Sequence, residues 1–419
     1  MKIAIVSEYN KFSSTGGTEN YVDFLINGLL KKDHEVLFVT LGSSNLLNIE
    51  QTVFSTENKA YQLFLVKKTL FNSNEIKQKN ISNTWGDIYA KLMEFSPHAI
   101  HVHTLSTFFN IKHIEICKKI FKNIVLTTHI PAHFCPTGQM IKYGKTPCNG
   151  KLSIQCDLCL IKSDLKNIIT GIYSNKRLIK SKLIVTLHKL EIQMICVSEW
   201  QKEQLILNGF PFENISVIRQ VFIPKIDDKK YSLLNKENNH VLTIGYLGRL
   251  SNEKGVYLLF QVLNHYKNDA NIHFRIAIPK GVNPQELNVL KALATDNNNI
   301  VIDYSIDEST KSSYFSMIDF LFIPSYFIET GPIVLLEGVY FQKTVLAPNI
   351  GGPLEFSMQY PEYVKCYEWN NIKSVISNIE SLRINENINI RKKYNFETEA
   401  INFIEPHVKV YEKLINRLL

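Results

Sequence analysis

Two hydrophobic periods alternate along the chain. "KIAIVSEY" is a short buried-strand run, and "NKFSSTGGT" after it is a loop of Gly, Ser and Thr. From Glu19 to Lys31 the residues Tyr21, Phe24, Leu25 and Leu29 recur at helical spacing, and "HEVLFVT" then returns to strand. "AIHVHTL", "NIVLTTHI" and "IQMICVS" are further apolar runs with helical material between them. Strands alternating with helices predict a parallel sheet covered on both faces.

The pattern restarts beyond Pro224 to Asn239, a polar Lys/Asn-rich stretch that reads as a linker. "HVLTIGYLGRL", "NIHFRIAI", "NIVIDYS", "DFLFIPS" and "KTVLAPN" are strands, and "VYLLFQVLNHY" is a helix. The expected fold is α/β, with two Rossmann-like doubly wound domains facing a cleft. The expected boundaries are 1–223 for the first domain, 224–398 for the second, and 399–419 for a helix packing back on the first. Ligands in such sheets bind at the carboxyl ends of strands, and the cleft is the expected site.

At 419 residues the chain suits two cores of about 200 residues each better than one. A hydrophobic content of 45% with 21% charged residues is that of a globular protein. No apolar run approaches the ~20 residues of a membrane span. The opening "MKIAIVSEYN" has too short an apolar run for a secretory signal, so a cytoplasmic setting is expected. The formal charge of +8 suits anionic ligands, and no basic–aromatic motif accompanies it to suggest nucleic acid. Between Lys162 and Lys189 seven basic residues face one acidic, Asp164, with Leu and Ile interleaved. That stretch is a candidate basic amphipathic helix for peripheral contact with the inner face of a membrane, or equally a solvated helix face over the core.

"ETGPIVLLE" sets Glu329 in a loop and Glu337 in a helix. Gly331-Pro332 is a good helix opening with Pro at the first helical position. The amides of Ile333 and Val334 would then face a phosphate at the positive end of the helix dipole. Glu337, five residues on, lies about 7.5 Å along the axis, within reach of a ribose if a diphosphate sits at the helix mouth. The plainer reading, a carboxylate aiding the dipole plus an exposed helix glutamate, fits this stretch equally well. "GYLGRLSNEKG" shifts the balance. Arg249 and Lys254 follow a strand end, and Gly248 and Gly255 permit close backbone approach. Two cations there could hold a diphosphate without a metal.

With these motifs the chain resembles the GT-B glycosyltransferases of family 4, retaining enzymes that use nucleotide-diphosphate sugars. "GRLSNEKG", "PSYFIETGPIVLLEG" and "LAPNIGGPLEF" follow in the family's order and spacing. The resemblance implies that Arg249 and Lys254 neutralise the diphosphate. It implies that Glu329 contacts donor-sugar hydroxyls and Glu337 the ribose, with Thr330 and Gly331 in the same donor-binding stretch. "STGGTE" matches the family's Gly-rich loop, so Gly16 and Gly17 should approach the donor phosphate or acceptor, and Glu19 should face the acceptor. His129 matches a strand-end histidine near the reacting sugar, although the Asp that often follows it is Ile130 here. The acceptor expected is a glycan, lipid-linked or small molecule of bacterial surface-polysaccharide or glycoconjugate synthesis. The alternatives are a sugar-nucleotide epimerase on the same fold, which would need no acceptor, and a non-catalytic nucleotide-sugar-binding protein. No cofactor is expected for catalysis.

Cys135, Cys148, Cys156 and Cys159 form a C-x12-C-x7-C-x2-C block, an insertion over about 133–160. One C-x-x-C knuckle with two further thiols is a candidate structural zinc site, with separate buried thiols or an iron–sulfur site as the alternatives. A subset of the family carries a similar insertion. Cys117, Cys196 and Cys366 read as core residues. His101 and His103 alternate on one strand and so share a face, which suggests packing rather than metal ligation. Ser198 reads as a helix cap with Gln201 three residues on.

Overall fold

The computed structural model describes residues 1–11, 16–42, 49–54, 59–66, 82–163, 176–222, 241–278, 284–304, 306, 310–384 and 395–417. The expected linker, the 223/224 boundary and the middle of the basic stretch lie outside the described residues. The chain divides into two compact units, Met1–Gln220 with Glu397–Leu419, and Val221–Phe396.

The first unit holds an eight-stranded sheet. Its strands are β1 (Lys2–Ser7), β2 (Glu35–Leu41), β3 (Ile49–Phe54), β4 (Ala60–Val66), β5 (Ala99–His103) and β6 (Ile124–Thr128). After a two-stranded hairpin, β7 (Ile141–Lys142) and β8 (Thr146–Pro147), come β9 (Gln193–Cys196) and β10 (Ile215–Val217). The order is β10-β9-β6-β5-β1-β2-β4-β3. Both sides of the central strands are covered, so Ile3 to Val6 are wholly buried and read as a continuous apolar run rather than an alternating one. One strand departs from the all-parallel expectation, because β3 pairs antiparallel with β4 at the edge. An edge strand reached by a short connection can run antiparallel, whereas an interior parallel strand needs a crossover.

The second unit's sheet is wholly parallel in order β13-β12-β11-β14-β15-β16, formed by β11 (Leu242–Leu247), β12 (Ile272–Ile278), β13 (Ile300–Tyr304), β14 (Phe320–Phe322), β15 (Thr344–Pro348) and β16 (Val364–Tyr367). Its two faces carry separate cores. On one, Ile244, Phe274, Phe320 and Leu346 meet the Val256–His265, Pro284–Thr295 and Ile372–Ile384 helices through Leu259, Leu290 and Val375. On the other, Ala277, Leu321, Val345 and Ala347 meet Tyr314, Leu335 and Phe356 of the Lys311–Ser316, Ile333–Tyr340 and Gly352–Gln359 helices. Alternate strand residues thus feed opposite faces, the doubly wound arrangement.

The chain's last helix, Phe396–Asn416, packs within the first unit. The His407 ring nitrogen Nε2 lies 2.9 Å from the Tyr21 hydroxyl, and the Tyr411 hydroxyl lies 2.6 Å from His101 Nδ1. Phe403 packs edge-on against Tyr21, and Ile404 lies where a side chain on Gly28 would go.

Other sequence expectations need correction. The Ile333–Tyr340 helix begins one residue later than expected, with Pro332 as its N-cap at ψ 118° rather than inside the first turn. Buried Leu335 still closes that turn by donating to the Pro332 carbonyl at 3.1 Å. The basic stretch is not one described helix. Ile154–Ser163 and Lys176–Lys189 are separate elements, and 164–175 lie outside the described residues. Cys366 is half-buried rather than core, while Cys117 and Cys196 are buried.

A Cβ on Gly28 would lie 2.0 Å from Ile404 Cδ1. Gly28→Ala should therefore lower stability by about 1–3 kcal/mol through overpacking. Adding Ile404→Ala should recover part of that loss, and a double-mutant cycle in urea would measure the coupling.

Candidate active site

In the second unit the chemistry gathers beyond the carboxyl ends of β11, β14 and β15, which are neighbours in the sheet. The loop after β11 turns at Gly255, whose φ of 74° lies in the left-handed region and which caps the Val256–His265 helix. A Cβ there would meet the Pro324 carbonyl oxygen at 1.9 Å, so only glycine lets the two loops close together. The backbone amides of Tyr326 and Phe327 donate to the Glu253 carbonyl at 3.0 and 3.2 Å, which knits the loops. The loop after β15 presses from the other side. Gly352 donates its amide to the Glu329 carbonyl at 2.8 Å, and a Cβ on Gly351 would lie 2.6 Å from the same oxygen.

Glu329 sits inside this weave and is buried. Its Oε1 accepts from Lys254 Nζ at 2.9 Å and from the Ser325 hydroxyl. Lys254 also lies over the Phe327 ring, 5.4 Å from its centroid. Glu337 is buried in the helix, and its Oε1 accepts from Lys311 Nζ at 2.6 Å. Each carboxylate of the E-x7-E pair is therefore held by an ammonium group. Thr330 and Ile333 are buried and Val334 half-buried beside them. Arg249 is exposed, with its carbonyl taken by the Tyr246 hydroxyl at 2.6 Å, and Gly248 lies against the same ring. Arg249 and Lys254, expected as an equivalent pair, thus differ: one side chain is open to solvent, the other committed to Glu329.

Lys311, Ser325 and the closeness of Gly351 and Gly352 to Glu329 were not foreseen from sequence. Lys311 lies 26 residues before its partner in the polar stretch "DESTKSSYF", where a lone lysine carries no signal.

In the first unit Gly16 caps the Gly17–Lys31 helix, and a Cβ on it would meet Glu19 Oε2 at 2.7 Å. Glu19 is buried in the first turn, in a small hollow shared with Asn10, Lys11, Asp23 and Tyr61. His129 follows β6 and is buried, with Nε2 3.1 Å from His103 Nδ1 and the Tyr21 ring edge-on at 4.7 Å. His101 lies beside His103, with ring centroids 4.2 Å apart and planes tilted by 30°, as residues sharing one strand face should. His133 accepts the Leu105 amide on Nε2 at 3.2 Å, and its Nδ1 lies 2.8 Å from the Thr128 hydroxyl. With His407 this makes a cluster of buried rings. Burial disfavours the imidazolium and pushes His129 to about 3 and His133 and His407 to about 4. Nearby, Ser198 caps its helix by accepting the Gln201 amide at 3.2 Å, and the Gln201 side chain returns to the Val197 amide at 3.0 Å.

The four cysteines of the insertion come into one neighbourhood. Burial raises the Cys148 thiol, and Cys135, Cys156 and Cys159 are near enough to raise it further against the Gly150 amide, which donates to its sulfur at 3.4 Å. The Tyr143 amide likewise donates to Cys159 at 3.3 Å. Among the described residues, though, no group of three or more His, Cys, Asp or Glu is disposed to hold a metal ion.

Comparison with known proteins follows the same two halves. Residues 15–220 match the family described as Glycosyltransferase Family 4, and residues 227–395 match Glycosyl transferases group 1. The chain is a GT-B glycosyltransferase. Sucrose-phosphate synthase from Thermosynechococcus elongatus superimposes with a TM-score of 0.63 at 14% identity, covering all of this chain and 97% of that one. Anabaena HepE in complex with UDP gives a TM-score of 0.62 at 14% identity, covering all of this chain and 99% of that one. At such identities the likeness establishes the shared fold. An uncharacterised 42.6 kDa protein of the Klebsiella pneumoniae cps region is 23% identical over 432 residues, which covers 98% of this chain and all of that protein.

Two outcomes test this geometry. Lys311→Met removes the ammonium paired with the buried Glu337 carboxylate and should cost about 3–5 kcal/mol, most of it regained in Lys311→Met/Glu337→Leu. Urea unfolding would show both. The depressed histidines make acid destabilising. A neutral-favouring site contributes its full stability above the unfolded value of about 6.5, and this is lost as pH falls towards about 4. The slope should approach about 1.4 kcal/mol per pH unit for each participating ring. Urea midpoints flat above about pH 7 and falling steeply below about 6 are expected, with a shallower fall in His407→Gln.

Proposed function

We propose that this glycosyltransferase moves a sugar, with retention at the anomeric carbon, from a nucleoside-diphosphate donor to a glycan or lipid-linked acceptor of surface-polysaccharide synthesis. The observation that carries the donor assignment is the pair of lysine-held carboxylates, Lys254–Glu329 and Lys311–Glu337, set on either side of the start of the Ile333–Tyr340 helix. The first amides of a helix have no partner within it and sit at its positive end, which suits a diphosphate. Arg249 and the Lys254 ammonium supply further positive charge as the diphosphate departs. Glu337 suits ribose hydroxyls and Glu329 sugar hydroxyls, both as hydrogen-bond acceptors.

In the proposed step the bond between the anomeric carbon and the leaving phosphate oxygen breaks, and its electrons stay on phosphate. The acceptor oxygen enters on the same face, and its proton passes to that phosphate oxygen. Glu329 is a poor candidate for a covalent nucleophile, because the ammonium and hydroxyl that donate to its Oε1 draw charge from the carboxylate and lower its nucleophilicity. The rate enhancement is then chiefly electrostatic, from charge stabilised on the leaving group. On the acceptor side, Glu19 and a neutral His129 offer hydrogen bonds rather than positive charge. The Klebsiella relative's place in a cps region and the lipopolysaccharide outer core galactosyltransferase WaaB among the structural neighbours support a surface-glycan acceptor.

Thermal stabilisation by UDP, GDP, ADP and dTDP tests the donor reading. One of them at 100 times its dissociation constant should add roughly 2.7 kcal/mol to the wild type. That gain should vanish in Glu337→Ala, measured relative to the variant's own melting point. No shift with any diphosphate in folded protein would remove the donor assignment, and a trapped glycosyl adduct on Glu329 would overturn the same-face route.

A further inference from the structure

Two helices of the first unit, Ile154–Ser163 and Lys176–Lys189, lie against each other and are tied by the Arg177–Asp157 pair at 2.7 Å. The first turns Cys156 and Cys159 towards the thiol neighbourhood, which leaves Ile154 and Leu158, one turn apart, on its opposite side. The second buries Ile184 and Leu187 and leaves Leu178, Ile179 and Val185 outward. These five apolar side chains are between 48% and 71% exposed. Isolated exposed apolar residues need no explanation, but two neighbouring helices each carrying them do.

Charge selects what covers this face. The Lys176–Lys189 helix carries five Lys or Arg and no carboxylate. Leu178, Lys182, Val185 and Lys189 follow at spacings of four, three and four residues, so cations and apolar groups share one stripe. The Asp157 carboxylate on the neighbouring helix is already taken by Arg177. A second copy of the chain docking two-fold here would set Lys182 and Lys189 against their own counterparts, a like-charge arrangement. An anionic lipid surface satisfies both chemistries at once. Apolar tips enter the headgroup boundary while lysine stems reach back to phosphates.

We propose that this two-helix face is a docking surface for an anionic phospholipid bilayer. It lies on elements that hold none of the donor-binding residues, and it stands apart from the proposed sugar transfer. Flotation of the full chain with vesicles of phosphatidylcholine alone, or of phosphatidylcholine with phosphatidylglycerol, tests it without any substrate. The wild type should float with the anionic vesicles only, and less so as salt is raised. Lys182→Glu/Lys189→Glu and Leu178→Ser/Ile179→Ser/Val185→Ser should each reduce the floated fraction about tenfold. Both variants change exposed positions, and an unchanged melting point confirms that they fold. A wild type that stays in the soluble fraction with both vesicles overturns the proposal, as do variants that float equally well. Concentration-dependent self-association lost in the triple-serine variant, without flotation, would assign the face to a second copy instead.

Discussion

Two buried carboxylates, each paired with a lysine ammonium, are the constraint from which the second unit's site follows. A buried carboxylate without a partner would cost several kcal/mol, so Lys254 and Lys311 must be delivered to Glu329 and Glu337. Delivering Lys254 requires the loop after β11 to lie on the loop after β14. That approach requires Gly255, because any Cβ would strike the Pro324 carbonyl. Placing the Glu329 backbone requires Gly351 and Gly352 behind it. The glycines, which in sequence look like generic loop residues, are the geometric terms on which the ion pairs form.

The first unit is organised by the opposite device, a polar cluster without net charge. His101, His103, His129, His133 and His407 are all buried, and each is held neutral by burial. Hydroxyls of Tyr21, Tyr411, Thr127 and Thr128 supply partners for several of these rings. The two units therefore present different chemistry: fixed ionic groups beside the start of a helix in one, neutral hydrogen-bonding rings at strand ends in the other.

Much of this was legible in the sequence, and what was not has identifiable causes. Parallel strands were readable because burial on both faces makes runs such as Ile3 to Val6 continuously apolar. The reversed β3 was not readable, since strand direction at an edge is set by a connection rather than by composition. Glu329, Glu337 and Lys254 stood out because they repeat a motif at fixed spacing. Lys311 did not, because its partnership is made by tertiary packing across 26 residues. His101 and His103 were correctly read as sharing a strand face. Their neighbours His407 and Tyr411 come from the far end of the chain, beyond any local pattern. Among the cysteines, spacing foretold the proximity of Cys135, Cys148, Cys156 and Cys159, because a short insertion keeps its thiols close.

The last helix has a consequence in time. Tyr21 and His407 are in contact across 386 positions of sequence, and the whole of the second unit is made between them. At a synthesis rate of roughly 5–20 residues per second, about ten to thirty-five seconds separate the end of the main body of the first unit from the arrival of its closing helix. Through that interval the strip along Gly28, Tyr21 and His101 is uncovered, with apolar surface and half-made hydrogen bonds facing water. The second unit is thus still being made while the first waits for the helix whose Ile404 packs against Gly28.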